Sequence, residues 1–340
     1  MKVKRLYLRN FRNYDECLVT FAPGVNLIHG DNAQGKTNLL EALYLLMTGR
    51  SFRTTQLDEL IQFGKSSFYI EALFEKNGLE QQLRMSFDGA QRRVFLGSTP
   101  LPSLSALLGV IHGVLITPED DDLIKGLPKV RRHFLDLHIA KTNPLYLHHL
   151  GHYVKAMRHR NILLKDQSVH LLSPFEQVME ESGAYLGKMR MLAINELQKR
   201  IDHQPEQISL SYKPSVFTTA QKERELLLGI TISGPHKDDF TPYLEENRAR
   251  KFGSEGQKRS IVAALKLAQF RQIQDLTGET PLLCIDDIGI SFDRRRELDL
   301  LEKIKTCGQV FLTACQPQPM QAHHLLVDGG RIETPPPQSP

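Results

Sequence analysis

The 340-residue chain contains no tryptophan and only four cysteines. It also has no apolar run approaching the ~20 residues that a membrane-spanning helix requires. Cys17, Cys284, Cys307 and Cys315 are scattered, without the close pairs that bind zinc or frame a small disulfide-stapled domain, and read as reduced thiols. A dominant charge is missing too. Lys and Arg total 43 against 39 Asp and Glu, a net charge of +4, which permits a nucleic-acid partner without demanding one. The N-terminal stretch MKVKRLYLRNFRNYDE lacks the apolar core of a secretory signal, so a cytoplasmic protein without a membrane partner is expected. Histidines such as His148, His149, His323 and His324 fall in no metalloprotease pattern and read as ordinary surface or core residues. There is no internal repeat, and Pro128, Pro144, Pro174 and Pro205 interrupt the middle of the chain too often for an extended coiled coil.

What is present is an alternating α/β pattern interrupted by helices. Residues 2 to 9 alternate between basic and apolar, as an exposed or edge strand does, and Gly24 turns the chain into the apolar run Val25 to His29. A glycine-rich loop follows, then a helical pattern with Leu39, Leu40, Leu43 and Leu46 on its apolar face and Gly49 at its end. Strands are expected at 68–75, 79–87, 91–96, 208–212 and 228–233. The last third reads as helix 255–276, strand 282–286, helix 294–305 and strand 310–313. The fold class is α/β, a core of mixed β-sheets with flanking helices, carrying an inserted, mainly helical lobe. The expected divisions are 1–115 for the first part of the core, 116–206 for the lobe, 207–333 for the second part of the core and 334–340 for a disordered proline-rich tail.

Three constellations carry chemistry. Gly30, Asp31, Asn32, Ala33, Gln34, Gly35, Lys36 and Thr37 match GxxxxGK[ST], between an apolar strand and a helix. Backbone N–H groups curl round phosphates there, glycine at 35 keeps the approach open, Lys36 reaches the β- and γ-phosphates, and the Thr37 hydroxyl faces magnesium. The run Leu282 to Ile285 followed by Asp286 and Asp287 places two acids at the carboxyl end of a buried strand, one to hold magnesium and one to orient an attacking water. A strand ending in a solvated acidic turn would look the same in isolation; the phosphate loop argues against that reading. Ser254 is a good helix cap, but a cap does not explain Gly256 in the first turn, where glycine costs about 1 kcal/mol of helix propensity. Close approach of a phosphate explains both, and one nucleotide does not readily touch two such helix starts, so the second belongs to another copy of the chain.

In this order the three elements resemble the ATP-binding-cassette class, and their details resemble its RecF branch. Besides the loop and NLLEA at 38–42, the chain carries PEDDDLIKGLPKVRRHFLD at 118–136, GPHKDD at 234–239, SEGQKR at 254–259 and DDIGISFDRRR at 286–296. The resemblance implies an ATP- and magnesium-dependent homodimer of DNA replication and recombinational repair. It would engage gapped duplex or single-strand/double-strand junctions and act with RecO and RecR in RecA loading. It assigns Gly30 to Asn38 to ATP, Thr37 and Asp286 to magnesium, Lys36, Asp286 and Asp287 to weak, DNA-stimulated hydrolysis, and Ser254, Gly256 and Gln257 to the partner's nucleotide. Pro118, Glu119, Asp120, Arg131 and Arg132 match a family segment without an assigned role. The chain departs from the family pattern at Ala33, Leu127, Lys237 and the segment Ile290, Ser291, Phe292, Asp293. The last departure bears on hydrolysis and intersubunit coupling. A transporter-type ATPase subunit and a DNA-binding module that binds ATP with little hydrolysis fit parts of the same pattern. Two basic clusters are candidate DNA contacts: Lys2, Lys4, Arg5, Arg9 and Arg12 near the N-terminus, and Lys155, Arg158, His159 and Arg160 in the lobe. A solvated surface would carry the same residues.

Overall fold

Alternation in Lys2–Phe11 (β1) buries Val3, Leu6, Leu8 and Phe11 and leaves Arg5 and Arg9 exposed, as a half-buried strand requires. The structure is a computed structural model that describes residues 1–201, 207–288, 294–318 and 320–333. In it β1 lies between β2 (Tyr14–Thr20) and β4 (Phe68–Lys76), antiparallel to both. The strand expected to be exposed or at an edge is therefore an inner one: its basic side chains occupy the outer face while both of its edges are hydrogen-bonded. With β5 (Leu79–Phe87), β6 (Arg92–Leu96) and β7 (Thr99–Pro100) it forms a six-stranded sheet ordered β2-β1-β4-β5-β6-β7.

A second six-stranded sheet holds β3 (Val25–His29), β8 (Gly113–Ile116), β12 (Leu282–Ile285), β13 (Val310–Ala314), β14 (His323–Asp328) and β15 (Arg331–Glu333). Its order is β15-β14-β3-β13-β12-β8, all parallel except β15. Every residue of β8, β12 and β13 is buried, which is why these strands read as continuous rather than alternating apolar runs. Helix α1 (Lys36–Thr48) contributes Leu39, Leu43 and Leu46 to the core that also holds Leu6, Phe74 and Phe311, and it ends on Gly49 in the left-handed conformation. The short α2 (Leu104–Leu107) and α10 (Arg294–Ile304) belong to the same compact unit, residues 1–119 and 273–340.

The other unit, residues 120–272, contains α3 (Asp122–Lys125), α4 (Pro128–Ala140), α5 (Pro144–Lys165), α6 (Ser173–Arg200), β9 (Ile208–Lys213), α7 (Lys222–Leu228), β10 (Asp239–Leu244), β11 (Asn247–Arg248), α8 (Ala249–Phe252) and most of α9 (Glu255–Thr277). The lobe thus begins at Asp120 rather than 116 and ends at Gln272 rather than 206. The physical reason is apolar packing: Ile208, Phe240, Ile261, Leu265 and Ala268 share one cluster with Phe134, Ile194 and Leu197 of the lobe helices. The strand expected at 228–233 does not form. Gly229 turns left-handed after α7, and the N–H groups of Thr231 and Ile232 donate to the side chains of Asn161 and Glu225 instead of to a neighbouring strand. The tail 334–340 lies outside the described residues. Among the described residues no helix is long and apolar enough to cross a membrane, and none of the four cysteines is in a disulfide.

Two buried arginines organise the lobe. Arg190 donates to Asp136, Asp238, the Tyr146 hydroxyl and the Pro235 carbonyl. Arg160, which the sequence places in a basic cluster open to DNA, is instead fully buried and pairs with Glu176 at 3.0 Å and Glu225 at 2.6 Å. Glu225 is itself fully buried, so Arg160→Ala strands a charge in the interior and is expected to cost about 3–5 kcal/mol in urea unfolding. A loss under 1 kcal/mol would return Arg160 to the list of surface residues. His138 provides a pH test. Its Nε2 meets Gln272 Oε1 at 2.8 Å, its Nδ1 has no partner, and burial pushes the imidazole down to about 4. The unfolded chain takes up this proton near pH 6.5 and the folded chain only near 4, so stability falls as pH drops through that window. Between pH 7 and 5 the loss from this group is about 2 kcal/mol, and His138→Gln is expected to flatten the stability–pH curve by that amount.

Candidate nucleotide-binding site

The parallel sheet brings together segments that are far apart in sequence. Register pairs Thr313 with Ile28 and Leu312 with Ile285, so the carboxyl ends of β3, β13 and β12 lie side by side. This is where ligands collect in open α/β sheets. The loop leaves β3 here and Asp286 leaves β12. Thr37 Oγ1 donates to Asp286 Oδ1 at 3.0 Å across 249 positions of sequence.

The loop needs backbone that most residues avoid. Gly30 and Gly35 have φ of 145° and 120°. A Cβ on Gly30 would lie 2.3 Å from the Val327 carbonyl oxygen, and one on Gly35 2.7 Å from Asn13 Nδ2. Ala33 sits at φ 65°, a left-handed conformation that costs about 1–2 kcal/mol for a residue with a Cβ. Surrounding bonds hold the shape. The Tyr14 hydroxyl donates to the Gly35 carbonyl and Cys315 Sγ to Asn32 Oδ1, each at 3.0 Å. Asn13 Nδ2 and the Gly330 N–H donate to the Gln34 carbonyl, and the Gly329 N–H to Gln34 Oε1. Asn38 donates to Asn13 and accepts from Arg53. Lys36 Nζ donates to the carbonyls of Gly30 and Asp31 at 2.7 and 2.8 Å, spanning the loop.

These residues fit a triphosphate with a divalent cation. Helix α1 starts on Gly35 with no side-chain cap and no acid in its first turn, which leaves its N-terminal N–H groups and dipole for an anion. Burial pushes the Asp286 carboxyl above its usual range; the Thr313 and Thr37 hydroxyls pull it back, and the charges of Asp287 and Glu119 raise it further. A cation there would relieve both the burial and the repulsion. Asp287 has φ 54°, and its N–H donates to Thr313 Oγ1 at 2.7 Å.

Ser254 starts α9 with a reciprocal cap: its hydroxyl accepts the Gln257 N–H and its own N–H donates to Gln257 Oε1. Lys125 and Lys258 both pair with Glu255 and hold its carboxyl down at about 2. The family segment at 118–136 acquires a role here. Asp120 pairs with Lys266 and Asp121 with Arg259, tying the segment to α9, while Arg131 chelates Asp239 through two hydrogen bonds and Arg132 donates to the Asp238 carbonyl. The segments PEDDDLIKGLPKVRRHFLD and GPHKDD are therefore bound to each other. Pro118 and Glu119 lie in a one-turn helix just beyond β8, and Lys237 is exposed. Ile290, Ser291, Phe292 and Asp293 lie outside the described residues.

The basic clusters divide. Arg12 grips the buried Glu41 with two hydrogen bonds at 2.8 and 2.7 Å and donates to the Glu59 carbonyl, so its guanidinium is engaged within the protein. Lys4 bridges Glu75 and Glu80. Lys2, Arg5, Arg9, Lys155 and Arg158 carry no ion pair among the described residues, and Arg9 lies over the Tyr69 ring. Lys155, Arg158 and His159 edge an open groove lined by Leu150, Val154 and Ile162.

Asn13, Tyr14, Arg53 and Thr313 were not legible as site residues. No spacing rule joins the first three to the loop. Thr313 did leave a trace, as the one polar residue in the otherwise apolar strand VFLTA. Asn13→Ala removes the side-chain bond to the Gln34 carbonyl, worth about 1 kcal/mol. Nucleotide affinity is expected to fall about fivefold with the melting temperature little changed; undiminished affinity removes Asn13 from the site.

Taken together, the phosphate loop, the acidic strand end and the capped helix start on this sheet order define a P-loop ATPase of the ATP-binding-cassette type. The profile of the family described as RecF/RecN/SMC N terminal domain matches residues 2–328. The chain is 42% identical to the DNA replication and repair protein RecF of Protochlamydia amoebophila, over 94% of this chain and 95% of that one. It is 38% identical to the protein of the same description from Chlamydia caviae, over 92% of both chains. A solved structure of the recombination mediator protein RecF with ATP superimposes with a TM-score of 0.90 at 29% identity, over 98% of this chain and 97% of that one. The chain belongs to the RecF family.

Proposed function

We propose that this chain is an ATP-dependent protein of DNA replication and recombinational repair that works in the cytoplasm. Nucleotide-driven pairing of two copies regulates its engagement of gapped duplex or single-strand/double-strand junction DNA and, with RecO and RecR, supports RecA loading. The convergence of Lys36, Thr37, Asp286 and Asp287 beyond the carboxyl ends of β3 and β12, with Thr313 of β13 between them, carries the reading. The relatives' descriptions supply the process.

Lys36 would exchange its two carbonyl partners for the β- and γ-phosphate oxygens, a charge-assisted replacement. Thr37 and Asp286 would hold magnesium, which when bound neutralises charge on the phosphates. Asp287 would accept a hydrogen bond from the attacking water and orient it. In a second copy, the Ser254 hydroxyl and the N–H groups of Gly256 and Gln257 would close over the γ-phosphate, Gln257 giving up its bond to Ser254. Hydrolysis then releases the pair, so ATP times DNA engagement. Lys2, Arg5, Arg9, Lys155 and Arg158 are the remaining candidates for phosphate contacts, a sequence-tolerant and strongly salt-dependent mode.

Sizing with ADP, ATP and a nonhydrolysable analogue, with and without gapped duplex, tests the scheme. The wild-type chain is expected to pair with ATP and not with ADP. Lys36→Ala is expected to stay unpaired, and tight ATP-dependent pairing of that variant would sink the composite site. Asp287→Asn is expected to give a persistent ATP-bound pair with DNA-stimulated turnover lowered about 100-fold or more; unchanged turnover takes Asp287 out of its role.

A further inference from the structure

Between the nucleotide loop and the acidic pair runs β13, all five residues of which are buried. Thr313 brings the only hydroxyl of that strand to its carboxyl end. Parallel pairing sets Thr313 level with Ile28 and one step past the Leu312–Ile285 pair, so its side chain meets Asp286, the first residue beyond β12. The hydroxyl is used in both directions. It donates to Asp286 Oδ1 at 2.7 Å and accepts the Asp287 N–H at 2.7 Å.

Two constraints follow. Thr37 and Thr313 donate to the same carboxylate oxygen, from α1 and β13 respectively, which fixes the plane of the Asp286 carboxylate and presents Oδ2 as the oxygen neither hydroxyl takes up. Asp287 sits at φ 54°, a conformation that non-glycine residues adopt mainly where surroundings hold them. The bond from its N–H to Thr313 holds the peptide joining the two acids. A residue that only filled space on β13 would need neither bond, and valine, of the same shape, would suit a fully apolar strand.

We propose that Thr313 is a positioning residue that locks the orientation of Asp286 and the left-handed backbone of Asp287 to each other through one hydroxyl. This rests on the roles given above to Asp286 and Asp287. Thr313 touches neither nucleotide nor cation in this role; it acts by holding the carboxylate that would ligate the cation and the backbone that aims the second acid. Partners of this kind are worth about 10- to 100-fold in metal affinity or activity.

The test compares Thr313→Val, Thr313→Ser and Asp286→Asn in the full chain. It measures affinity for a fluorescent ATP analogue in EDTA and in magnesium, melting temperature, and turnover on gapped duplex. Thr313→Val is expected to bind within about twofold of wild type in EDTA while losing about 10- to 100-fold of the affinity gained on adding magnesium, and to lose turnover at saturating nucleotide. Thr313→Ser restores the hydroxyl and is expected to recover both. Thr313→Ala provides a second hydroxyl-free variant if valine lowers the melting temperature. A magnesium gain that is the same in the valine and alanine variants as in wild type overturns the proposal. So does an equal loss of affinity with and without magnesium, which marks a packing role. Asp286→Asn separates this from failure of the site itself: if that variant keeps the full magnesium gain, the reading of Asp286 falls and the proposal with it. If it loses the gain while Thr313→Val does not, Thr313 alone is wrongly placed.

Discussion

Everything at the nucleotide end of this chain depends on one buried carboxylate shared by two hydroxyls. Asp286 leaves the end of an apolar strand and is nearly sealed from solvent, where an ionised acid is costly unless it is hydrogen-bonded or paired. Thr37 and Thr313 supply the bonds, and each arrives on a different element. The sheet order makes this meeting compulsory. With β13 inserted between β3 and β12, the loop that follows β3 and the acid that follows β12 are held one strand apart, a gap that the Thr37 and Thr313 side chains close. Changing the strand order would separate the phosphate loop from its acid even with every motif residue intact.

The same end of the molecule stores backbone strain. Ala33 and Asp287 have positive φ, and for residues with a Cβ such conformations persist only where the surroundings over-determine them. Here the surroundings are specific: Asn13 from the turn between the first two strands and Tyr14 at the start of the second, Gly329 and Gly330 from the turn between the last two, and Thr313 beneath Asp287. Ala33 shows how far this support extends. A residue that disfavours the left-handed region is held there at a cost glycine would not incur, so the loop's shape is imposed by its neighbours as well as permitted by its own composition.

The motifs that the sequence displays are those whose chemistry is local. GxxxxGK[ST], the acidic strand end and the capped helix start each concentrate their signal within a few residues, and they fall where expected. Strands 79–87 and 310–314 and helix 255–277 were legible for the same reason, since period and breakers are local properties. What was hidden depends on tertiary placement. β1 reads as an edge because charge shows in sequence and strand neighbours do not. The lobe extends to Gln272 because Phe240, Ile261 and Leu265 choose the lobe's apolar cluster, a choice no linker composition announces. Residues 228–233 have strand composition, yet the N–H groups of Thr231 and Ile232 are claimed by Asn161 and Glu225.

The arginines carry this point from fold to function. Along α5, Lys155 and Arg158 are three residues apart and share an exposed face, whereas Arg160, five residues from Lys155, is turned inward to Glu176 and Glu225. Arg12 is likewise withdrawn to Glu41, and Lys4 is shared between two acids. The charge available to a phosphate backbone is therefore smaller than the charge written in the sequence. Electrostatic affinity for DNA scales with the number of phosphates neutralised, so each basic side chain engaged within the protein lowers what one copy can offer a phosphate backbone. On the function proposed here, two copies brought together by ATP would double that number on one ligand and turn the second engagement into an intramolecular one. On the same proposal, the engagement of Arg12 by Glu41 and the burial of Arg160 would make DNA engagement lean more on nucleotide, since a more basic surface would hold DNA without waiting for ATP.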